Sequence, residues 1–145
     1  MKYDELKAAF ATDETVVKLL EDIKPLFDII DDYAQQMIKD VLGQEELRET
    51  KTKLTGIIAT LNPVYSKGLS LKKQKEYRYY VQKKEECDKA GTKFTDGATE
   101  KEAKDAVRNY RLIRDLIYGY IKAAESIVYD CKDRLLQYSK EQPEK

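Results

Sequence analysis

One apolar pattern constrains the fold of this chain more than any other feature, because large side chains recur at alternating steps of four and three between residues 16 and 41. The positions are Val16, Leu20, Ile23, Phe27, Ile30, Ala34, Met37 and Val41. This spacing places all of them on one face of an α-helix, as in the seam of a coiled coil. The pattern predicts a helix over 13–42 that is kinked at Pro25 and stops at Gly43.

Two further helices are predicted from patterns of the same kind. One covers 44–90 and is bent or interrupted at Asn62-Pro63, where asparagine can cap a restarted helix and proline can open it. The other covers 99–139 and begins with a capping box formed by Thr99 and Glu102. Its apolar seam consists of Ala103, Ala106, Tyr110, Ile113, Ile117, Tyr120, Ala124, Ile127 and Cys131.

These patterns predict a single all-α domain over 1–145, since only six glycines and three prolines are present to form the turns of a β-rich protein. The three main long helices are expected to pack as an elongated antiparallel bundle in the manner of a coiled coil. A short segment, 1–12, precedes them and has Tyr3, Leu6 and Phe10 on one helical side. Apolar residues on more than one side of the last helix predict a homo-oligomer.

Several classes of function are disfavoured by what the sequence lacks. No histidine is present, so the usual catalytic triads and most zinc sites are missing. The motifs EExxE at 45–49 and ExxD at 85–88 leave open an all-α, Mg²⁺-dependent nucleotide pyrophosphohydrolase. Solvated helix faces explain both motifs more simply, so we expect no enzyme, no metal and no cofactor. With no membrane span and no disulfide framework, a cytoplasmic location is expected.

The net charge of zero conceals an asymmetry along the chain. Residues 1–49 carry 13 acidic and six basic side chains, whereas 50–91 carry four acidic and ten basic ones. The basic excess is greatest in the segment 70–84, SLKKQKEYRYYVQKK, which has six cations, one carboxylate and three tyrosines. Such an asymmetry indicates either an anionic partner or docking between acidic and basic parts.

A helical projection of the basic segment predicts which of its side chains face outward. Lys67, Lys72, Lys75, Arg78, Tyr79 and Lys83 fall on the side expected to be exposed, whereas Leu69, Tyr77, Tyr80 and Cys87 fall on the side expected to face inward. Lys73 and Lys84 lie within the apolar arc, from which they can reach outward. The projection therefore predicts an outward row of cations beside one aromatic ring.

Three interpretations of this row remain open. Cations beside an aromatic ring are typical of proteins that hold single-stranded nucleic acid without sequence preference. The row could instead dock, within or between subunits, on the acidic first helix, or it could simply be solvated. The carboxylates available for such docking are Asp28, Asp31, Asp32 and Asp40. We expect a nucleic-acid-binding accessory protein, and the alternative is a helical protein–protein interaction module that serves as adaptor, scaffold or inhibitor.

Three stretches carry a resemblance to a known family: LNPVYSKGLSLKKQKEYRYY (61–80), GATEKEAKDAV (97–107) and YRLIRDLIYGYIKAAESIVYDCKDRLLQYS (110–139). Over about 47–140 the chain resembles small phage recombination proteins, which are similar to the UvsY-type recombination mediators. The acidic first helix departs from that pattern.

The resemblance implies an oligomeric all-α protein that binds single-stranded DNA and helps load a recombinase past single-strand-binding protein, without catalysis of its own. The positions that it implies for DNA contact are Lys67, Lys72, Lys73, Lys75, Arg78 and Tyr79.

Overall fold

The computed structural model describes residue 5 and residues 8–141, and it is all-α as predicted. Four helices account for nearly all of this part of the chain: α1 (Asp13–Lys39), α2 (Gln44–Ala90), α3 (Asp96–Ala106) and α4 (Arg108–Glu141). The described residues include no strand. Phe10 of the predicted N-terminal segment is buried, while Tyr3 and Leu6 lie outside the described residues.

Helix α1 buries most of the predicted seam and begins at Asp13 as predicted, but it ends earlier. Thr12 and Thr15 form a reciprocal capping box at its start. The helix ends at Lys39 rather than near Gly43, because Asp40 adopts a left-handed conformation with φ 55°. Arg134 of α4 stabilises this end by donating to the Asp40 carboxylate at 2.8 Å and to a carbonyl of the last turn at 3.2 Å. Val41, predicted as a seam residue, is consequently exposed.

Helix α2 runs without interruption through Asn62-Pro63, where the sequence predicted a bend or a restart. A proline removes one backbone hydrogen bond, which here would reach the carbonyl of Ala59. Both Pro63 and Ala59 lie on the exposed side of the helix, so water can satisfy that carbonyl. The helix ends as expected at Gly91, whose φ of 68° suits a glycine.

The predicted helix over 99–139 is two helices. Helix α3 begins at Asp96, so Thr99 is a buried residue inside the helix rather than its N-cap, and the predicted capping box is wrong. The chain breaks at Val107, whose side chain is fully buried, and resumes as α4. Ala106, predicted for the seam, is exposed. Arg111 donates to the carbonyl of Lys104 at 3.0 Å and so satisfies one free acceptor at the end of α3.

The core lies between α1, the first half of α2 and α4. Phe27 of α1 stacks on Tyr120 of α4 with ring centroids 4.1 Å apart. Contacts of α2 with α4 run in opposite sequence directions, since Tyr65 meets Tyr118 and Lys75 meets Tyr110. The fully buried residues of α2 end at Gly68, so the second half of this helix packs on α3 and the start of α4 through half-buried and polar side chains.

Gly68 admits the ring of Phe10 to the core, which leads to a prediction about two glycines of α2. A Cβ atom at position 68 would lie 2.9 Å from Phe10 Cζ, whereas one at Gly56 would meet nothing within 4 Å. We expect Gly68→Leu to lower the free energy of unfolding by about 1–3 kcal/mol through overpacking. Gly56→Leu should raise it by about 0.5–1 kcal/mol through helix propensity. Urea denaturation measures both, and equal stabilities would contradict the role given to Gly68.

No described helix combines the length and the apolar character that crossing a membrane requires.

Candidate nucleic-acid interface

The basic segment 70–84 lies in the second half of α2, beyond the part that α1 covers, and its orientation differs from the predicted one. Its phase continues from Leu61, Val64 and Gly68, which are all buried. Successive steps of three or four from these residues lead to Lys72, Lys75 and Tyr79. Part of the side predicted to be outward therefore faces α3 and α4.

Lysines 72 and 75 both have partners within the chain, although Lys75 remains exposed to solvent. The Lys72 side chain is only 12 % exposed and lies 3.3 Å from the carboxylate of Glu76. Lys75 Nζ donates to the hydroxyl of Tyr110 at 3.1 Å and lies 4.5 Å from the centre of its ring. That hydroxyl in turn donates to the carbonyl of Phe10 at 3.0 Å. Lys75 therefore links α2 to α4, whereas the pair of Lys72 and Glu76 lies within α2.

Two tyrosines of the basic segment connect α2 to α3. Tyr79 donates to the carboxylate of Glu102 at 3.2 Å, and Tyr80 donates to that of Asp96. Partial burial, with a contribution from the charge of Glu102, raises the pKa of Tyr79. The hydrogen bond to Asp96 is the main cause of the raised pKa of Tyr80. Each hydroxyl is thus held in its protonated, donating form.

The solvent-exposed side of the basic segment is nevertheless free of carboxylates. Its exposed residues are Ser70, Lys73, Gln74, Lys75, Tyr77, Arg78, Gln82 and Lys84. We call this set the exposed α2 face; it contains four cations and a single aromatic ring. Tyr77, predicted to face inward, is 69 % exposed, so that prediction is wrong. Tyr79 was predicted to be exposed but is half-buried, so that prediction is also wrong.

The predicted binding residues therefore divide into two groups. Lys73, Lys75 and Arg78 are exposed, whereas Lys67, Lys72, Tyr79 and Lys83 are half-buried. The predicted binding residues did not include Tyr77 or Lys84, although Lys84 was expected to be able to reach outward. Extending the phase of Leu61 and Val64 along the helix would have found both.

The raised pKa values predict a pH dependence of stability. A tyrosine whose pKa is higher in the folded state stabilises the fold fully below pH 10, and this contribution is lost as the pH rises through the folded pKa. The free energy of unfolding should therefore fall between pH 8 and pH 11, and it should fall less in Tyr80→Phe. Urea denaturation at the two pH values measures the difference. An equal loss in both proteins would show that the contact with Asp96 contributes nothing.

The structure separates the acidic motifs on which the enzymatic alternative depends. Residues 45–49 and 85–88 stand at opposite ends of the continuous helix α2, about 55 Å apart along its axis. Within the described residues no group of three or more potential ligand side chains could hold a metal ion. The two motifs of one chain therefore cannot form a shared magnesium site.

Docking of the basic segment on α1 within one chain is also wrong. Helix α1 packs along the first half of α2, and two of the carboxylates considered for docking face α4 instead. Asp31 accepts from the hydroxyl of Tyr120 at 2.9 Å, and Asp40 is paired with Arg134 at 2.8 Å. The partners that the basic segment finds within the chain include Glu102 and Asp96 of α3.

Comparisons with protein-family models, with curated proteins and with solved structures returned no match for this chain.

Proposed function

We propose that this protein binds single-stranded nucleic acid through the exposed α2 face. The observation that carries the proposal is the composition of that face: the exposed residues between 70 and 84 include four cations and the ring of Tyr77, whereas no carboxylate in this segment is exposed. In a chain with equal numbers of acidic and basic side chains, such a local excess does not follow from overall charge.

The chemistry of this face suits an unpaired strand better than a duplex. Exposed cations along the helix replace the counterions that surround phosphates, which gives affinity without sequence preference. An exposed tyrosine adds stacking with bases, whose faces are accessible only when they are unpaired. We therefore expect tighter binding to a single strand than to a duplex of the same length.

A direct test is a fluorescence-anisotropy titration of a labelled 15-nucleotide single strand at ~50 mM salt, repeated at increasing salt. Binding that weakens steeply as salt increases is expected from phosphate contacts. A protein that shows no binding at ~50 mM salt does not have this function. A duplex of the same length in the same titration distinguishes an unpaired strand from nucleic acid in general.

In the cell we propose a non-catalytic accessory role, of the kind that the resemblance to phage recombination mediators implies. The partners would then be single-stranded DNA or RNA, a recombinase and a single-strand-binding protein, in the cytoplasm. We also propose that the long helices form an elongated antiparallel bundle of coiled-coil type. The exposed α2 face then lies in the part of the bundle that α1 does not cover.

The second candidate is a protein–protein interaction module, which the exposed apolar residues of α4 favour. Leu112 and Leu136 are 57 % and 58 % exposed, and Leu116 is 41 % exposed. Aliphatic side chains of this size on one helix are consistent with a homo-oligomer or another helical partner. Sedimentation velocity at increasing concentration tests self-association, and a strict monomer of 16.9 kDa would exclude it.

A further inference from the structure

An open groove of about 480 Å³ lies between the second half of α2 and helix α3, beside the exposed α2 face. Lys73, Tyr77 and Tyr80 line it from α2, and Glu100, Ala103 and Lys104 line it from α3. Its volume lies within the range of about 300–1,000 Å³ that is typical of small-molecule sites. The groove is therefore large enough to take part of a ligand rather than only water.

One wall of the groove is fixed by contacts within the chain. The hydroxyl of Tyr80 is bound to Asp96, and its ring meets that of Phe94 edge-on, with centroids 5.3 Å apart. Buried Ala103 leaves space because its side chain is small. Glu76, which also lines the groove, is paired with Lys72. These contacts hold the shape of the groove before any ligand arrives.

The side chains that remain exposed are those a nucleotide would need. Tyr77 offers a free ring, and Lys73 lies one helical turn before it on the same side of α2. Lys104 provides a second exposed cation from the opposite helix, and Glu100 lies one turn before it. The groove thus offers one aromatic ring and two cations, which suit a flat group attached to phosphates.

We infer that this groove binds one unpaired nucleobase, stacked on the ring of Tyr77, with the neighbouring phosphates at Lys73 and Lys104. The inference rests on the proposed function and adds where on the protein a base is bound. A carboxylate accepts hydrogen bonds, so Glu100 selects a base that presents an amino group, as cytosine does at N4 and thymine does not. The site therefore combines a stacking contact that any base can make with a preference for cytosine over thymine.

The experiment measures the fluorescence anisotropy of two fluorescein-labelled single strands at fixed low salt. One strand consists of 15 deoxycytidines (dC15) and the other of 15 thymidines (dT15). Tyr77→Ala should weaken binding of both by about 5–150-fold, the range expected for one lost stacked base, while Tyr77→Phe should preserve it. The matched control is Tyr129→Ala, because Tyr129 is 67 % exposed on α4 and does not line the groove. Circular dichroism should show the helix content of all three variants unchanged.

Two α3 variants test the other side of the groove. Lys104→Glu should weaken binding and reduce the salt dependence, whereas Lys101→Glu, exposed on the same helix but outside the groove, should have a smaller effect. Glu100→Gln should abolish the preference for dC15 over dT15, since an amide can donate as well as accept.

The outcomes distinguish this inference from the function on which it rests. If the wild-type protein binds neither oligonucleotide, the proposed function fails and the groove has no role in it. If the wild type binds but Tyr77→Ala binds equally well, or Tyr129→Ala weakens binding to the same extent, the function stands and the groove is not its base-binding position. Equal affinity of the wild type for dC15 and dT15 would overturn the role of Glu100.

Discussion

Reversal of three exposed charges, Lys73→Glu, Arg78→Glu and Lys84→Glu, should abolish binding of single-stranded oligonucleotides while leaving the helix content unchanged. Each cation that contacts a phosphate releases condensed counterions and so contributes to the affinity. Loss of three such contributions, with added repulsion from the glutamates, lowers the affinity by more than about 100-fold. Because all three side chains are exposed, their replacement affects the stability of the fold little. Anisotropy and circular dichroism measure the two effects.

The matched control reverses Lys18, Lys24 and Lys132, which are exposed on α1 and α4 and lie outside the basic segment. Both triple variants have the same total charge, so any difference between them reports on position alone. The control should retain most of the affinity. For the wild type, the slope of log affinity against log salt should be about −0.7 for each phosphate contacted, and the α2 variant should flatten it. An equal loss of affinity in both triple variants would show that net charge, rather than the exposed α2 face, attracts the strand.

The seam of α1 was predictable because large apolar side chains have few alternatives to burial. Ile23, Phe27, Ile30 and Met37 follow one period, and all are buried. The end of the same helix was not predictable, since it depends on Arg134, nearly a hundred residues away, which binds Asp40 and the last turn. Periodicity records which residues turn inward, but it carries no information about a distant side chain that caps a helix end.

The phase of the basic segment was mispredicted for a related reason. The projection treated tyrosine and leucine as inward markers, but the inward side continues from Gly68, which has no apolar side chain to signal burial. Beyond that point the positions facing α3 and α4 hold Lys72, Lys75 and Tyr79, of which only Lys75 stays exposed. Partners such as Glu102 and Tyr110 satisfy their polar atoms. Where polar side chains find partners in the fold, hydrophobic periodicity alone does not reveal the buried face.

The break at Val107 shows a third limit. This residue is apolar and lies four residues after Ala103 and three before Tyr110, so it fits an unbroken helical pattern. The backbone of Val107 nevertheless leaves the helical conformation, with φ −109° and ψ 19°, and Arg111 satisfies an acceptor at the end of α3. The break matters for the candidate site because α3 carries Asp96, Glu100 and Lys104 along the second half of α2.

Among the tyrosines whose contacts are described above, Tyr110 should be the one whose truncation to alanine destabilises the fold most. It is almost fully buried, its ring lies 6.2 Å from that of Phe10, and its hydroxyl connects Lys75 to the carbonyl of Phe10. Tyr110→Ala should lower the free energy of unfolding by about 3–5 kcal/mol through the lost ring and the cavity it leaves. Tyr129→Ala, on the exposed side of the same helix, should change it by no more than about 0.5 kcal/mol.

A milder substitution separates the two roles open to Lys75. Tyr110→Phe keeps the ring and removes the hydroxyl, so it should cost about 0.5–1.5 kcal/mol for the lost hydrogen bonds. If Lys75 serves mainly to hold α2 in place, oligonucleotide binding by Tyr110→Phe should remain close to that of the wild type. In this variant the ammonium group of Lys75 loses its bond to the hydroxyl and remains exposed. Urea denaturation and anisotropy on the same samples measure both quantities. A loss of binding comparable to that of the triple reversal, without loss of helix content, would mean instead that the hydroxyl positions Lys75 for the strand.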